Sequence, residues 1–420
     1  PEPENPGSSP GGPAISNPRW AIVQAPPAGE RTPEALASRY SFSLPAVRRL
    51  AELYPHRVEG ILASLKTPPR RYFLRVNTLK ASPQEVVEEL RGLGLEAYVY
   101  ERLPDAIYLP VRGPFPVRRL SKVVVARKEA AESVYQGAHL YAPGVLDAKG
   151  VREGDEVSVV DPRGHVVAEG VAVMDGEEMV SRSRGLAVEV RASVYRAPSV
   201  RELEVYKRGL VYDQSLPAIV AGHVLSPEPG WLVVDLCAAP GGKATHAAQL
   251  MKGEGRVVAI DRSERKASRI LENARRLGLA NIEVRVADSR YVDVEMEDLR
   301  GADAVILDPP CSALGLRPTL YYERGEGEFR SLSEYQRQFL RAAVGILRRG
   351  GLLLYSTCTL TLEEGEANIR WAIAELGLRP LKQRVTLGSR GFADLGEFAQ
   401  RFEPDLHDTP GFFIALLEKV

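Results

Sequence analysis

Three cysteines are the residues of this chain best suited to covalent chemistry, and each follows a short apolar run. Cys237 comes directly after LVVDL, whereas Cys311 lies just beyond DAVIL and Cys358 just beyond GLLLY. Continuous apolar runs of this length are typical of parallel strands that are buried on both faces. Ligands of an open α/β sheet bind outside the carboxyl ends of its strands, so the three thiols should surround one crevice. The pattern therefore predicts a thiolate nucleophile rather than a disulfide framework.

The loop that carries Cys311 reads ILDPPCS. Its two prolines stiffen the backbone after Asp308 and hold it extended. A loop of this shape can enclose a flat nucleic-acid base, and Asp308 can bind the hydrogen-bonding edge of that base. The next strand ends in Ser-Thr-Cys-Thr, so Cys358 should face the same crevice.

Methylation of cytosine at C5 is a reaction that two such thiols could carry out. C5 is a poor nucleophile until a thiolate adds to C6 and makes the ring an enamine, whose C5 can attack a methyl sulfonium. The C5 proton must then leave and the thiol must be eliminated, so the reaction requires one nucleophile and one base. Cys311 and Cys358 meet this demand. A single strand-end cysteine is usually a small buried hydrophobic residue, and we keep that interpretation for Cys237.

A glycine turn and two acids predict a nucleoside site next to the thiols. In CAAPGGK, Gly241 and Gly242 allow a sharp turn and the close approach of a ligand where a helix begins. Asp261 ends the second strand and Asp288 ends the third, positions suited to ribose hydroxyls and to an adenine edge. The turn lacks the dinucleotide fingerprint G-x-G-x-x-G, which favours S-adenosylmethionine. The alternative is a structural turn flanked by surface acids.

Strand and helix signals alternate over residues 199–420, which predicts an α/β fold with a mostly parallel, doubly wound, Rossmann-like sheet. One helix, SERKASRILENARRLG, places Ile270, Ala274 and Leu277 on one face. Another should begin at Ser333, with Gln336 in the capping-box position. The final apolar run, FFIALLEK, is expected to form a strand near the edge of the sheet.

Three segments precede this domain. Residues 1–30 are rich in Pro, Gly and Ser and are expected to be a disordered tail. Residues 31–112 predict a small α/β domain, in which Ser82 caps a helix that has Glu85 at its third position. Residues 113–198 consist of short β-runs between Gly, Pro and Asp turns and predict a β-barrel-like module.

The composition is that of an ordinary globular protein, with 44% hydrophobic and 26% charged residues. Lys plus Arg equals Asp plus Glu at 55 each, so the net charge does not identify a polyanionic partner. Few cysteines, no apolar stretch of about 20 residues and no secretory leader lead us to expect a cytoplasmic protein without a membrane span. His139, His165, His223 and His246 lack metal-binding spacing, so we interpret them as structural or surface residues and expect no metal. We also expect a monomer.

Three segments, LCAAPGGKATHAAQLM, DPPCSALGLRP and YSTCTLTLEEGEANI, resemble the Sun/Fmu-type RNA cytosine-5 methyltransferases. The resemblance covers residues 200–420 and implies a class I methyltransferase fold that uses S-adenosylmethionine. It implies Cys358 as the nucleophile at C6, Cys311 as the thiol that assists proton removal and product release, and Asp308 as the group that holds cytosine N3. The implied cofactor contacts are Cys237, Ala238, Ala239, Pro240, Gly241, Gly242, Lys243, Asp261, Lys266, Asp288 and Asp308. Ala313 departs from the family, which often has glycine there.

The segment GAHLYAPGVLDAKGVREGDEVSVVDPRGHVVAEGVAVM resembles a PUA domain, which is an RNA-binding fold. Basic residues at both ends of this module are the candidate RNA contacts, namely Arg118, Arg119, Lys122, Arg127, Lys128, Arg182 and Arg184. The basic residues of the N-terminal domain are expected to line the RNA groove, and these are Arg48, Arg49, Arg70, Arg71, Arg75 and Lys80. Tyr135 and Tyr141 could stack on nucleotides or pack within the protein.

A PUA module between an N-terminal extension and the catalytic domain resembles one branch of the family. That branch implies tRNA as the partner and an acceptor-stem cytosine beside the 3′ CCA end, position 72, as the target. Ribosomal RNA stays open as an alternative substrate. A non-catalytic RNA-binding role also stays open, although simple binding does not require two thiols. In DNA cytosine-5 enzymes the roles of Cys311 and Cys358 would be exchanged, but the thiol of the Ser-Thr-Cys loop favours the RNA arrangement.

Overall fold

The computed structural model describes residues 31–420, so the predicted disordered tail lies outside the described residues. The described chain forms two compact units. One unit spans Pro114–Val194, and the other combines residues 31–113 with Tyr195–Val420. The N-terminal α/β segment therefore shares a unit with the segment predicted to hold the Rossmann-like sheet. At the level of single residues, the predicted boundaries 31–112, 113–198 and 199–420 stay a prediction.

The N-terminal segment begins with three helices and continues as a small α/β arrangement. Its helices and strands are α1 (Pro33–Tyr40), α2 (Leu44–Leu53), α3 (Val58–Leu65), β1 (Arg71–Val76), α4 (Pro83–Gly92), β2 (Tyr98–Val99) and β3 (Ala106–Pro110). The predicted cap of α4 is confirmed, because Ser82 Oγ accepts from the Glu85 N–H and the Glu85 carboxylate accepts from the Ser82 N–H. This capping box satisfies two backbone donors that the helix itself cannot.

The unit Pro114–Val194 is rich in short strands, as predicted. Its elements are β4 (Val123–Ala126), α5 (Lys128–Tyr135), β5 (Leu140–Tyr141), β6 (Val145–Asp147), β7 (Glu156–Val160), β8 (Val166–Ala172), α6 (Gly176–Ser181) and β9 (Leu186–Ser193). The strands form one sheet in the order β5-β9-β8-β7-β4-β6. Only β4 and β7 pair in parallel among these described strands, and the other pairs are antiparallel.

The remaining segment alternates strands with helices. Its elements are α7 (Glu204–Lys207), β10 (Val211–Asp213), α8 (Leu216–Leu225), β11 (Leu232–Asp235), α9 (Gly242–Leu250), β12 (Arg256–Asp261), α10 (Glu264–Leu277), β13 (Ile282–Val286), α11 (Val292–Glu295), β14 (Ala302–Leu307), α12 (Glu326–Ile346), β15 (Leu347–Thr357), α13 (Glu366–Leu376), β16 (Leu378–Pro380), β17 (Ser389–Arg390), β18 (Ala399–Phe402), α14 (Pro404–His407) and β19 (Phe412–Lys419). Within residues 31–420, no helix is long and apolar enough to cross a membrane.

The large sheet of this segment has the order β13-β12-β11-β14-β15-β19-β18-β17, with β16 beside β19. The strands β11 to β15 run parallel, and β19 pairs antiparallel with β15. The predicted doubly wound, mostly parallel sheet is therefore confirmed. The chain leaves β11 toward β12 on one side and later returns to β14 on the other side. This reversal opens a crevice at the carboxyl ends of β11 and β14, where such folds bind ligands.

Apolar helix faces cover both sides of the large sheet. On one side pack residues of α8, α9 and α10, and on the other side pack residues of α12 and α13. The predicted buried face of α10 is confirmed, since Ile270, Ala274 and Leu277 are all buried. The strands are buried between these layers, which explains their continuous apolar sequences.

Two predictions about this sheet were wrong. The long helix α12 begins at Glu326 rather than at Ser333, because the Glu328 carboxylate accepts from the Gly325 N–H and starts it seven residues earlier. Ser333 and Gln336 are instead buried in the interior of the helix. The final strand β19 lies between β15 and β18 rather than at the edge. Its six buried residues, FFIALL, agree with that internal position.

The small strand β10 connects the large sheet segment to the N-terminal one. It pairs antiparallel with β1 and completes a second sheet of order β10-β1-β3-β2. Just after β3, the backbones of Arg112 and Arg196 exchange two hydrogen bonds of 3.0 and 2.8 Å. The chain therefore leaves this unit and re-enters it at adjacent points.

A buried carboxylate with two imidazoles lies below the second sheet. His223 Nε2 is 2.7 Å from Asp105 Oδ1, and His246 Nε2 is 2.8 Å from Asp105 Oδ2. Burial lowers the pKa of His246 to about 4, although Asp105 opposes this effect. The neutral His246 ring therefore donates its Nε2–H to the carboxylate. Burial alone would raise the pKa of Asp105, but contacts with His246 and His223 outweigh it and hold the pKa low.

We expect His246 to make the unit lose stability as the pH falls. The pKa of His246 is lowered from its ordinary 6.5 to about 4 in the folded chain. Between these two pH values the histidine is protonated in the unfolded chain but not in the folded chain, so protons favour unfolding. The free energy of unfolding should therefore fall by about 2 kcal/mol between pH 7 and pH 5 through this residue. Urea unfolding followed by tryptophan fluorescence would measure it. The fall should shrink in His246→Gln and persist in the control His56→Gln, which alters an exposed histidine.

Candidate active site

The ends of the parallel strands surround one cavity of about 340 Å³. The cavity is lined by residues at the ends of the parallel strands and by residues of the neighbouring helices. These residues are Leu236, Cys237, Ala239, Asp261, Arg262, Lys266, Ala287, Asp288, Ser289, Asp308, Pro309, Pro310, Cys311, Ala313, Tyr335, Phe339 and Cys358. The fold thus brings together residues that are up to 122 positions apart in sequence, from Leu236 to Cys358. All three cysteines lie in this one crevice, and each is a free thiol.

Cys311 and Cys358 are in direct contact, with their sulfur atoms 3.2 Å apart. The hydrogen bond with Cys358 raises the pKa of Cys311 well above its ordinary value of 9.0, and burial adds to the effect. Cys311 therefore keeps its proton at neutral pH, and its sulfur lies within hydrogen-bonding distance of the Cys358 sulfur. Whichever of the two thiols attacks must do so as a thiolate, which is the nucleophilic form.

Asp308 lies beside the thiol pair and is held by two donors. Lys243 Nζ forms an ion pair with Asp308 Oδ2, and Ser356 Oγ donates to Asp308 Oδ1 at 3.2 Å. Burial alone would lower the pKa of Lys243, but Asp308 outweighs burial and raises it. Lys243 therefore stays charged, and the Asp308 carboxylate is fixed at the mouth of the crevice between a cation and a hydroxyl.

A buried glutamate ties the two cysteine loops together. Glu364 Oε2 accepts from the Ser312 N–H at 2.8 Å and from Gln336 Nε2 at 2.9 Å. Its other oxygen accepts from Thr361 Oγ1 at 2.9 Å. Ser312 Oγ and Thr359 Oγ1 are 2.7 Å apart and join the loops directly. The sequence analysis did not identify Glu364, although a carboxylate six residues after Cys358 indicated a polar group near this loop. It interpreted Gln336 as a helix-capping residue.

Ala313 has a backbone φ of +60°, in the left-handed region that favours glycine. This observation gives a physical reason for the glycine that the resembling family often has at this position. The methyl group of Ala313 lies on the cavity wall. The departure noted in the sequence therefore costs some backbone strain, of about 1 kcal/mol or more.

The glycine turn follows Cys237 and Ala239, which line the cavity. Gly241 has a φ of +107°, which a residue with a side chain rarely adopts, and α9 begins at the next residue. Below the turn, burial raises the pKa of Asp235 to about 7, while Lys243 opposes the shift. Arg290 lowers the pKa of Asp288 by hydrogen bonding to its carboxylate, so Asp288 stays ionised at the cavity.

The predicted cofactor residues divide into two groups in the structure. The cavity wall contains Cys237, Ala239, Asp261, Lys266, Asp288 and Asp308. The lining does not include the other predicted contacts, which are Ala238, Pro240, Gly241, Gly242 and Lys243. Burial raises the pKa of Cys237 well above 9.0, so this thiol stays protonated.

Most of the candidate RNA-binding side chains of the β-rich unit already have protein partners. Ion pairs join Arg118 to Glu169, Lys122 to Asp155, Lys128 to Glu132 and Arg182 to Glu178. Arg119 and Arg127 donate to the carbonyls of Gly164 and Pro143, and Arg184 is exposed. These ion pairs neutralise part of the positive charge that the number of basic residues suggested. Tyr135 is buried, whereas Tyr141 is 55% exposed and therefore accessible.

Two of the basic residues predicted in the RNA groove do not fit there. Arg75 is completely buried, so it cannot line a groove, and the prediction was wrong for this residue. The side chain of Arg49 is 14% exposed and binds Glu326 and Glu363. Sequence-level charge cannot distinguish a buried arginine from a surface one. The clue for Arg75 was its place inside the apolar strand RYFLRV.

A larger cavity of about 580 Å³ lies in the N-terminal segment. Its walls come from α4 and from the β2–β3 region, with Tyr98 stacked on Tyr108 at 5.3 Å. It contains neither a thiol nor one of the predicted cofactor residues. Size therefore does not identify the reactive site, and the arrangement of chemical groups does.

Three family models match different parts of the chain. The model for 16S rRNA methyltransferase RsmB/F matches residues 222–418. The PUA domain model matches residues 122–194, and the ferredoxin-like domain of RsmF/B-like methyltransferases matches residues 46–117.

Several characterised proteins are similar over most of their length. The tRNA (cytosine(72)-C(5))-methyltransferase of Pyrococcus horikoshii is 44% identical over 365 residues, which is 86% of this chain and 92% of that protein. Human NSUN6, whose name gives the same activity, is 32% identical to this chain, and the matched region covers 84% of each of the two proteins. The rRNA (cytosine-C(5))-methyltransferase NOP2C of Arabidopsis thaliana is 26% identical over 86% of this chain and 87% of that protein. A crystal structure of NSun6 from P. horikoshii with SFG has a TM-score of 0.83 at 42% identity, covering 91% of this chain and 99% of that chain.

We expect the pH at which Cys311 becomes reactive to fall when Cys358 is replaced by alanine. The contact with Cys358 is the largest cause of the raised pKa of Cys311, so its removal should shift the thiol–thiolate balance toward thiolate at a given pH. The rate of iodoacetamide modification of Cys311, followed by peptide mass spectrometry from pH 7 to 10, gives the midpoint. Cys237 serves as the internal control, since its midpoint should not change. Equal Cys311 midpoints in both proteins would contradict the effect of the Cys358 contact on the pKa of Cys311.

Proposed function

The chain belongs to the RsmB/F family of RNA cytosine-C5 methyltransferases, and on this premise we propose that it methylates C5 of cytosine 72 in tRNA, beside the 3′ CCA end. It has the class I methyltransferase fold with a ferredoxin-like N-terminal domain and a PUA domain. The observation that carries the proposal is the contact of two sulfur atoms, 3.2 Å apart, in the same cavity as Asp308.

The choice of tRNA is supported by the relatives that match across all domains. The proteins of P. horikoshii and human named for cytosine 72 of tRNA are 44% and 32% identical to this chain. The rRNA enzyme of similar coverage is 26% identical. A PUA domain is an RNA-binding fold, and in our proposal it binds the acceptor end, with Tyr141 and the exposed Arg184 as the accessible side chains.

S-adenosylmethionine is the proposed methyl donor. The residues present fit it, because Gly241 at φ +107° lets the chain turn tightly where α9 begins, and ionised Asp288 lies on the wall of the same cavity. Asp261, Asp288 and Lys266 would hold its nucleoside part. SFG, present in the related NSun6 structure, is an analogue of this molecule. When bound, S-adenosylmethionine supplies an electrophilic methyl group on a sulfonium.

Cys358 is the proposed nucleophile. Its sulfur is 3.2 Å from that of Cys311 and lies at the carboxyl end of β15 on the cavity wall. Addition of this sulfur to C6 forms an S–C6 bond and moves the electrons of the C5–C6 double bond into the ring. C5 thereby becomes a carbon nucleophile.

Asp308 and Lys243 are proposed to stabilise the ring during this addition. Negative charge develops at N3, and a carboxylate can bind N3 only through a shared proton. Lys243 Nζ, in contact with Asp308 Oδ2, is the donor that supplies this proton, and it takes the proton back when the C5–C6 double bond forms again. Fixed charges already in place at the site of developing charge require no rearrangement during the reaction.

Cys311 is proposed to assist the release of the product. Once the sulfur of Cys358 is bound to C6, its hydrogen bond to Cys311 is lost, and with it the largest cause of the raised Cys311 pKa. Cys311 can then ionise more readily and help to remove the C5 proton. Loss of that proton restores the C5–C6 double bond and expels the thiolate of Cys358. The expected cytoplasmic location, the monomeric state and the absence of a metal stay predictions.

The proposed substrate is tested by bisulfite sequencing of tRNA after incubation with the protein and S-adenosylmethionine. Protection of cytosine 72 and of no other position is the expected result, because all cytosines but 5-methylcytosine are deaminated. Ribosomal RNA in a parallel reaction is the control. Methylation of rRNA with unmodified tRNA would overturn the choice of substrate, and no methylation of either RNA would favour a non-catalytic role.

The two thiols should give opposite results when each is replaced by alanine. Cys358→Ala should abolish both methyl transfer and covalent attachment of RNA, because no sulfur then adds to C6. Cys311→Ala should accumulate the RNA–protein adduct, because release is impaired while addition continues. Denaturing gel electrophoresis after incubation with tRNA and S-adenosylmethionine separates the adduct from free protein. An adduct retained by Cys358→Ala would reverse the two roles.

A further inference from the structure

Arg75 reaches from the N-terminal segment to the turn that precedes α9, although it lies on β1 and far from that turn in sequence. Its Nη1 donates to the Gly242 carbonyl at 2.7 Å and to Gln214 Oε1 at 2.6 Å. Its Nη2 donates to Thr245 Oγ1 at 2.8 Å. Thr245 Oγ1 in turn donates to the Gly241 carbonyl at 2.6 Å, so both glycines of the turn belong to one hydrogen-bonded group.

The guanidinium of Arg75 is held in a costly environment. Arg75 is 0% exposed, and its hydrogen-bond acceptors among the described residues are two uncharged side chains and one carbonyl. Its Nε has no hydrogen-bond partner within residues 31–420. Burial lowers the pKa of Arg75 to about 10, so the group still carries its charge at neutral pH. A buried cation without a hydrogen-bonded carboxylate is expensive for a fold, and an apolar residue in its place would avoid that cost.

Further contacts brace the rest of α9 from the same direction. Asp105 Oδ2 accepts from His246, and Gln249 Nε2 donates to the Val76 carbonyl at 3.0 Å. The guanidinium also lies over the ring of Tyr212, 5.0 Å from its centre. The helix is therefore anchored along its length, and Arg75 contacts its first turn, where the glycine turn ends.

We propose that Arg75 is a positioning residue for the cofactor: by fixing the Gly242 carbonyl and Thr245, it holds the turn of residues 237–242 in the conformation that binds S-adenosylmethionine. This inference rests on the proposed function. Gly241 at φ +107° can adopt many other conformations, so the turn needs an external constraint. Preorganisation of a binding loop raises affinity by removing the cost of ordering it.

Asn77 offers a matched control on the same edge of the N-terminal segment. It is buried, and its Nδ2 donates to the Gly209 and Leu277 carbonyls at 3.1 and 2.8 Å. It thus joins the N-terminal segment to the end of α10, as Arg75 joins it to the start of α9. Asn77 does not contact the glycine turn, so its replacement separates general loosening from loss of cofactor positioning.

The test compares Arg75→Met, Arg75→Lys and Asn77→Ala with the unaltered chain. We expect Arg75→Met to raise the KM for S-adenosylmethionine about tenfold or more while the KM for tRNA changes little. Arg75→Lys should recover part of the loss, because an ammonium reaches the Gly242 carbonyl but not all three acceptors. Asn77→Ala should lower the unfolding temperature without a change in the cofactor KM. An unchanged cofactor KM in folded Arg75→Met, or an equal rise in Asn77→Ala, would overturn the proposal.

Calorimetric binding of S-adenosylhomocysteine provides a second measurement that needs no RNA. Its Kd should rise in Arg75→Met by a factor similar to the KM. If Arg75→Met does not fold, Thr245→Val removes one acceptor at similar volume and should weaken binding in the same direction; unaltered binding would contradict the proposal. An unaltered chain that binds S-adenosylhomocysteine but methylates no tRNA would refute the proposed function alone. Methylation by the unaltered chain with normal affinity in Arg75→Met would refute the role of Arg75 alone.

Discussion

The contact between two sulfur atoms at the ends of adjacent parallel strands is the interaction on which the rest of the site depends. Two thiols at 3.2 Å can share one hydrogen bond, and the contact with Cys358 is the largest cause of the raised pKa of Cys311. The pair works only if the loops after β14 and β15 keep this separation. Glu364, through Ser312 and Thr361, holds both loops and does so from a fully buried position. The chemistry of the cavity is therefore supported by a buried polar network whose members are not part of the cavity lining.

The sequence predicted the parts of the fold that follow from burial on both faces. Continuous apolar runs identified β11, β12, β14 and β15, and the rule for ligand binding at strand ends then placed Cys311 and Cys358 at one crevice. The capping box at Ser82 was equally local and was also correct. In each case the determining contacts lie within one element or within one general property of parallel sheets.

The predictions failed where long-range contacts decide the environment of a polar residue. Arg75 resembles a surface cation in sequence, yet its acceptors come from residues 214, 242 and 245. Gln336 resembles a helix cap, yet it binds the Pro310 carbonyl and Glu364. His223 and His246 were interpreted as structural or surface residues, and their shared contact with Asp105, more than a hundred residues away, makes them structural. Burial of such residues is a property of the assembled fold and leaves no periodic trace.

The paired backbones of Arg112 and Arg196 have a consequence for how this architecture could have arisen. The segment between them begins and ends at neighbouring points, so the flanking unit needs only a short turn to close its own chain. The entropic cost of closing a loop grows slowly with loop length, so an insertion of this kind adds little to the free-energy cost of folding the flanking unit. The strand-rich module can therefore be removed or exchanged at this one junction without interrupting the strands that position Cys311 and Cys358.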